Sequence, residues 1–119
     1  MKVKEVEIET VTLNNFVKEN NILRVDLMKI DVETHELEVL EGFSDYLNKF
    51  RPTMLIEILN NEIGAKVEKL IEGMGYLYFN IDENKGVHQT EHIIKSDYYN
   101  YLLCDPKTAK ELGLTIRNF

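Results

Sequence analysis

The spacing of apolar residues changes near residue 31, and the change predicts a strand followed by a helix. Residues 25–30 are mostly apolar and partly β-branched, as in a strand that is buried on both faces. From Leu37 to Phe50 the apolar residues recur at steps of three and four, which predicts one helix over about 35–50. Arg51-Pro52 ends this helix, because proline disfavours helical backbone in the residue before it.

The same two patterns predict the other elements of the chain. Further strands or extended segments are predicted at 3–11, 53–59, 76–81 and 98–103. Helices are predicted from the Thr12 cap to Asn20, over 62–73, and after Asp105-Pro106, whereas 87–97 is predicted to be irregular. A crossover helix makes strands 25–31 and 53–59 parallel neighbours. The prediction is one α/β domain over 1–119, a sandwich of mostly parallel strands with an antiparallel last strand.

Composition and charge restrict the function. A chain of 119 residues suits a single core. Its formal net charge of −7 repels phosphate backbones, which disfavours nucleic acid as a partner. No apolar run approaches the roughly 20 residues of a membrane helix, and the N-terminus lacks an apolar signal core. The single cysteine, Cys104, fits a reducing compartment, so we expect a cytoplasmic protein with no membrane partner.

Polar side chains follow the two strands that are predicted to be parallel neighbours. Carboxyl ends of such strands share one rim of the sheet, which is where open α/β sheets bind ligands. The first strand is followed by Asp31, Glu33, His35 and Glu36, and the second contains or is followed by Glu57 and Asn60. Carboxylates and an imidazole on one rim can bind a divalent cation, orient a hydroxyl group or act as a general base.

Structural roles compete with functional ones for some of these residues. Thr34 is a natural N-cap, and Glu36 and Glu38 in the first turn would interact favourably with the helix dipole. We therefore expect Glu38 to be structural, and both roles stay open for Glu36. A carboxylate at the end of a buried strand needs water, a donor or a ligand, which favours a functional Asp31.

Histidines outside this turn do not predict a metal site. His88 and His92 are four residues apart, a spacing that would suit a metal on a helix. They lie in a polar segment without helical periodicity and beside no cysteine, so we expect both to be solvated. No metal site is predicted.

The segment Ile30-Asp-Val-Glu-Thr-His-Glu-Leu-Glu-Val-Leu-Glu-Gly42 resembles the FkbM family of S-adenosylmethionine-dependent methyltransferases. The resemblance extends to 11–16, 25–29, 51–52, 55–58 and 98–103, which together take in most of the chain. The family usually has glycine in place of Thr34 and aspartate in place of Asn14. The implied fold is part of a Rossmann-like, class I methyltransferase sandwich.

The resemblance also implies roles for the rim residues. Asp31, Glu33 and His35 would border the transferred methyl group of the donor and the acceptor, which makes Asp31 a donor contact as well. Asp31 or His35 would orient or deprotonate a small-molecule hydroxyl, so that the family reaction is O-methylation. Glu36, Glu57 and Asn60 are expected to contact the substrate.

Family members hold the donor mainly by a glycine-rich turn after their first strand. The six glycines of this chain form no such turn, so it resembles the C-terminal half of the enzyme. We therefore expect this chain alone to bind no S-adenosylmethionine and to be inactive. In the family's sheet, strand 25–31 also pairs with the strand that is missing here. We expect the arm at 3–11, a second copy of the chain or the missing half to fill that edge.

Two other functions remain open. One is a non-enzymatic acidic α/β module that binds a divalent cation or a partner protein. The other is a small metal-dependent hydrolase built on Asp31, Glu33 and His35, which would need a tightly bound metal.

Overall fold

The structure, a computed structural model, describes residues 12–119. The predicted arm at 3–11 lies outside the described residues. In chain order the elements are α1 (Leu13–Glu19), β1 (Leu27–Ile30), α2 (Glu36–Glu41), α3 (Ser44–Phe50), β2 (Thr53–Glu57), α4 (Asn61–Ile71), β3 (Leu77–Asp82), β4 (Gly86–Thr90), β5 (Asn100–Cys104) and α5 (Pro106–Glu111). None of the helices in this range is long and apolar enough to cross a membrane.

All five strands belong to one sheet, in the order β1-β2-β5-β3-β4. The predicted parallel pair is present, with Leu27 opposite Thr53 and Ile30 opposite Ile56. The predicted antiparallel last strand is also present, because β5 runs antiparallel to its neighbours β2 and β3.

The prediction of a mostly parallel sheet was wrong, since β1 and β2 are the only parallel neighbours among the described strands. Two features explain the difference. The last strand, β5, inserts between β2 and β3, so the strands on either side of the α4 crossover are not adjacent. Residues 87–90, part of the segment 87–97 that was predicted to be irregular, belong to β4 (Gly86–Thr90). This strand pairs with β3 through a short hairpin, a connection that allows only antiparallel pairing.

The two faces of the sheet are covered unequally. On one face the first four helices bury the main core, which contains Leu40, Leu47, Val67, Met54 and Ile56 among others. On the other face α5 covers a smaller cluster around Phe79, Leu102, Cys104 and Ala109. Leu27, at the β1 end of this second face, is 62% exposed.

The helix predicted over 35–50 is two helices, α2 and α3, which are separated at Gly42 and Phe43. Asn14 explains the break. Its Oδ1 accepts the Asp45 backbone N–H at 3.0 Å and so caps α3, while its own N–H donates to the Gly42 carbonyl at 2.7 Å. These bonds join α1 to residues far along the chain, so they leave no signal in the local apolar pattern.

Strand β1 is shorter and more exposed than predicted. It spans Leu27–Ile30 instead of 25–31, and Ile30 is its only buried residue. The strand lies at one end of the sheet, and no strand of the described part pairs with its outer edge. The expectation of burial on both faces was therefore wrong for most of this strand.

Candidate functional site

The parallel pairing of β1 with β2 brings two of the predicted carboxylates to one rim. Because Ile30 lies opposite Ile56, the residues that follow them, Asp31 and Glu57, come side by side where the strands end. A cavity of about 240 Å³ opens at this place, lined by Lys29, Ile30, Asp31, Leu55, Glu57, Ile81 and Asn100. The expected meeting of Asp31 with Glu57 is thus present in the fold.

The lining of this rim cavity combines polar groups with an apolar surface. Leu55 and Ile81 supply side chains that are only partly buried by the rest of the fold. Asn100 lies opposite Glu57 in the β2–β5 register, so an amide stands beside a carboxylate. The two carboxylates outnumber the single ammonium group of Lys29, and the amide both donates and accepts hydrogen bonds, so the cavity suits a neutral hydroxylated molecule better than an anion.

The carboxyl group of Glu57 has a raised pKa. Partial removal from water raises the pKa of its carboxyl group, and the negative charges of Asp31, Glu36 and Glu33 raise that pKa further. Four acidic residues therefore interact at this rim, although only Asp31 and Glu57 line the cavity. A raised pKa makes a carboxylate a stronger base, which is the property a proton acceptor needs.

The turn between β1 and α2 has an unusual backbone. Glu33 and Thr34 both adopt positive φ, at 45° and 77°. Left-handed backbone is energetically unfavourable for a β-branched residue, so the conformation of Thr34 is strained. The N-cap of α2 is His35, which makes no side-chain capping bond, and the predicted capping role of Thr34 is wrong.

Glu36 lies inside the protein under this turn. Its side chain is completely buried, and its Oε2 accepts the backbone N–H of Val32 at 3.3 Å. Within residues 12–119, its Oε1 has no hydrogen-bond partner. The structure therefore places Glu36 behind the rim, where it supports the turn instead of lining the cavity.

His35 does not reach the cavity that Asp31 lines. Its ring is mostly exposed, with Nδ1 3.6 Å from the Glu38 carboxylate. It lies on a second, more apolar groove of about 510 Å³, formed by Thr12, Leu13, Val32, His35, Glu38, Val39 and Gly42. The imidazole and the rim carboxylates thus belong to different surfaces.

Asn60 is also absent from the cavity lining. Its side-chain oxygen accepts the Ile63 backbone N–H at 2.8 Å and caps α4. Such a cap stabilises a helix by about 1 kcal/mol, which gives this residue a structural task.

Metal ligands are not gathered at the rim. In the part of the chain that the structure describes, no group of three histidine, cysteine or acidic side chains is arranged to hold a metal ion. His88 is exposed on β4, and His92 Nδ1 lies 2.9 Å from Glu68 Oε2. The expected solvation of His92 is thus only partial, because a carboxylate contacts its ring.

Two polar residues of the cavity were missed by sequence reasoning. Lys29 lies within the apolar run of β1, and Asn100 within the tyrosine-rich strand β5. Asn100 could not be placed because its position depends on β5 inserting beside β2, and strand order is not encoded in local spacing. For both residues, the sequence feature that could have indicated a site is a polar residue within an otherwise apolar strand.

The comparison with family models gives one result. The model of the methyltransferase FkbM domain matches residues 1–78, which is 78 of the 119 residues of the chain. No match was found among curated proteins or among solved structures. The matched range contains β1, the strained turn, β2 and both rim carboxylates. The chain therefore belongs to the FkbM methyltransferase family.

Proposed function

We propose that this chain supplies the acceptor side of an S-adenosylmethionine-dependent methyltransferase that acts on a hydroxyl group. The observation that carries the proposal is the rim cavity, where Asp31 and Glu57 stand side by side at the ends of two parallel strands. Membership of the FkbM family supports the reaction class.

Each rim residue has a task in this proposal. Asp31 accepts a hydrogen bond from the acceptor hydroxyl and orients it, and Asn100 fixes a neighbouring polar group of the same molecule. Glu57, with its raised pKa, takes the hydroxyl proton as the oxygen becomes a nucleophile. Leu55 and Ile81 contact the apolar surface of the acceptor.

Residues 12–119 do not fit the methyl donor on their own. S-adenosylmethionine supplies the transferred methyl group when it is bound, and family members hold it by a glycine-rich turn after a strand. The glycines of this chain, at 42, 64, 73, 75, 86 and 113, form no such cluster. We therefore propose that this chain alone is inactive, and we assign no step to the donor.

Titration calorimetry tests the proposed lack of donor binding. S-adenosylmethionine added to the 119-residue chain should produce no saturable heat at micromolar concentrations. Micromolar binding by the chain alone would show that it contains a donor site after all.

The acceptor assignment is tested by NMR titration with neutral hydroxyl compounds. The probes are a methyl glycoside, a fatty alcohol and a serine-containing peptide, which represent sugar, lipid and protein acceptors. A bound acceptor should shift the backbone amides of Asp31, Glu57 and Asn100, and Asp31→Asn should weaken the response. Shifts confined to the groove around His35 would place the acceptor elsewhere and contradict the proposal.

We further propose that the outer edge of β1 pairs with another strand, from the arm at 3–11, a second copy of the chain or a separate donor-binding half. An unpaired edge strand is a template for such pairing, and the exposed Leu27 adds apolar surface to it. Sedimentation and hydrogen exchange test this together. A monomer whose outward-facing β1 amides exchange as fast as solvated amides would contradict it.

A further inference from the structure

The arm at 3–11 lies outside the described residues, but the residue through which it joins the fold is well positioned. Thr12 caps α1, with its Oγ1 accepting the Asn15 N–H at 3.2 Å. Thr12 also lines the apolar groove to which Val32 belongs, and Val32 comes shortly after the last residue of β1. The arm is covalently joined to Thr12, so its carboxyl end lies near the carboxyl end of β1.

The connection between the arm and β1 has the form of a crossover between parallel strands. Residues 12–26 contain α1, and a parallel connection needs a dozen or more residues and usually contains a helix. Helix α1 lies on the same face of the sheet as α2 and α3, which connect β1 to β2. Such crossovers are almost always right-handed, so two successive ones on one face advance in the same direction across the sheet. This favours the edge of β1 that faces away from β2 as the position of the arm.

Exposed apolar side chains lie on both faces of the sheet at this end. Val32 is 38% exposed on the side of the helices, where Leu13 and Val39 line the same groove. Leu27 is mostly exposed on the opposite face. A strand added to the outer edge of β1 would bring apolar surface to both faces and pair the free backbone groups of that edge.

The arm alternates apolar and acidic residues in a way that matches the two faces of β1. One side of an extended chain would carry Val6 and Ile8. The other side would carry three acidic residues, Glu5, Glu7 and Glu9. In β1, Ile30 packs in the main core under the helices, whereas the exposed Lys29 lies on the opposite face with the rim cavity. With Val6 and Ile8 on the core side, the glutamates share a face with the positive charge of Lys29.

We propose that residues 3–11 form a strand that pairs in parallel with the outer edge of β1 in the same chain. This inference deepens the pairing of β1 proposed above, because it selects one of three partners and gives the direction of the strand. Covalent connection favours the arm over a second copy, since a short tether gives an effective concentration of about 1 mM. The inference does not depend on the methyltransferase assignment.

Nuclear Overhauser effect spectroscopy of the uniformly labelled full chain tests the partner and the direction. Contacts should connect the arm to Leu27–Ile30, with residue numbers that increase together along the two strands. Contacts in which the numbers run in opposite directions would overturn the inference. A mixture of labelled and unlabelled copies identifies contacts between chains, and arm contacts seen only between chains would also overturn it.

The variant Ile8→Asp places a charge on the side of the arm that is proposed to face the core. Burying this charge is unfavourable, so the outward-facing amides of β1 should lose their protection against hydrogen exchange. The matched control is Val3→Asp, which makes an equivalent change on the other side of the arm and should leave that protection as in the wild type. Equal protection in the wild type and in Ile8→Asp would overturn the inference.

The two measurements distinguish failure of this inference from failure of the edge pairing itself. Protected β1 amides together with parallel arm contacts within one chain would support both. Protected amides without arm contacts would overturn the inference and leave a second copy or a separate half as the partner. Amides of β1 that exchange as fast as solvated ones in the wild type would overturn both.

Discussion

At the scale of single residues, the most informative feature is a threonine in left-handed backbone. Thr34 adopts φ 77° in the turn that carries the rim residues, at the position where the resemblance to the FkbM family implies a glycine. Threonine at positive φ costs about 1–3 kcal/mol, and surrounding contacts must compensate for it. The Glu36–Val32 hydrogen bond is one such contact. The turn is therefore imposed on the sequence by its surroundings.

Replacing Thr34 by glycine should stabilise the protein. Glycine adopts this backbone without steric cost but loses more entropy on folding, so the net gain in the free energy of unfolding should be about 1 kcal/mol. Urea unfolding followed by circular dichroism measures it. Thr34→Ala, which keeps a Cβ at positive φ, should give a smaller gain. If Thr34→Gly is less stable than the wild type, the left-handed turn is absent from the native state.

The helix caps that bond to their own helix were predicted correctly from the sequence. The Thr12 cap is present, with its Oγ1 accepting the Asn15 N–H at 3.2 Å, and Asp105 caps α5 with Pro106 in the first turn. The capping role of Asn14 was not predicted, and Glu36, which was expected at the helix dipole or in contact with the substrate, is instead buried under the turn. Asn14 caps a helix about 30 residues away, and whether Glu36 is buried depends on how α2 packs.

At the scale of elements, the segment between β4 and β5 is fixed closely to α4. Gly64 lies against the Ile93 carbonyl, and a Cβ at this position would come within 2.4 Å of the carbonyl oxygen. The same segment is held by Glu68, whose Oε1 accepts the Ile93 N–H at 2.8 Å, and by Asn61, which accepts the Lys95 N–H. These contacts position the chain that leads into β5 and Asn100.

Because Gly64 packs against the Ile93 carbonyl, Gly64→Ala should change the stability of the protein in the direction opposite to the usual one. Alanine in place of glycine normally stabilises a helix by about 1 kcal/mol. Here the added Cβ must displace backbone, which should reverse the sign and destabilise the protein by about 1–3 kcal/mol. Chemical denaturation provides the measurement, and Ala65→Gly on the exposed side of α4 should cost only the ordinary helix propensity. A stabilised Gly64→Ala protein would show that the segment does not lie against α4.

The contact between His92 and Glu68, in the same segment, makes the stability of the fold depend on pH. The hydrogen bond from His92 to Glu68 and the charge of Glu68 raise the pKa of His92, with a smaller contribution from Glu91. A raised pKa means that the protonated ring stabilises the folded state. This contribution is complete below the ordinary histidine pKa of about 6.5 and is lost as the pH rises through the raised value.

The variant His92→Gln should therefore lower the melting temperature more at about pH 5 than at about pH 9. Thermal unfolding of both proteins at these two pH values is the comparison, and the exposed His88→Gln is the control. A difference that is the same at both pH values would mean that the protonated ring does not bind Glu68.

Element boundaries could be predicted where the apolar period is strong, as in α4 and β2. They could not be predicted for β4, because Gln89 is its only buried residue and its exposed positions include Val87, so apolar residues do not alternate there. The break between α2 and α3 was also hidden, because the helical period continues across Gly42. In both cases tertiary neighbours determine the element.

At the scale of the whole molecule, the sheet presents one covered face and one partly open face. Four helices cover the first, whereas on the second α5 covers a smaller cluster, and Leu27 at the β1 end of that face is exposed. The rim cavity opens toward this less covered part of the sheet. The FkbM family assignment could be made from the 30–42 motif, but the strand order could not, because local spacing does not specify which strands become neighbours.

The meeting of Asp31 with Glu57 depends on this whole arrangement, because it requires two parallel strands that end at the same level. The most direct test is the pH titration of Glu57 by NMR in the wild type and in Asp31→Asn. We expect a raised Glu57 pKa in the wild type and a lower one in the variant, because a neighbouring negative charge is removed. A Glu57 pKa that is ordinary in the wild type and unchanged by Asp31→Asn would show that the two carboxylates do not share a site.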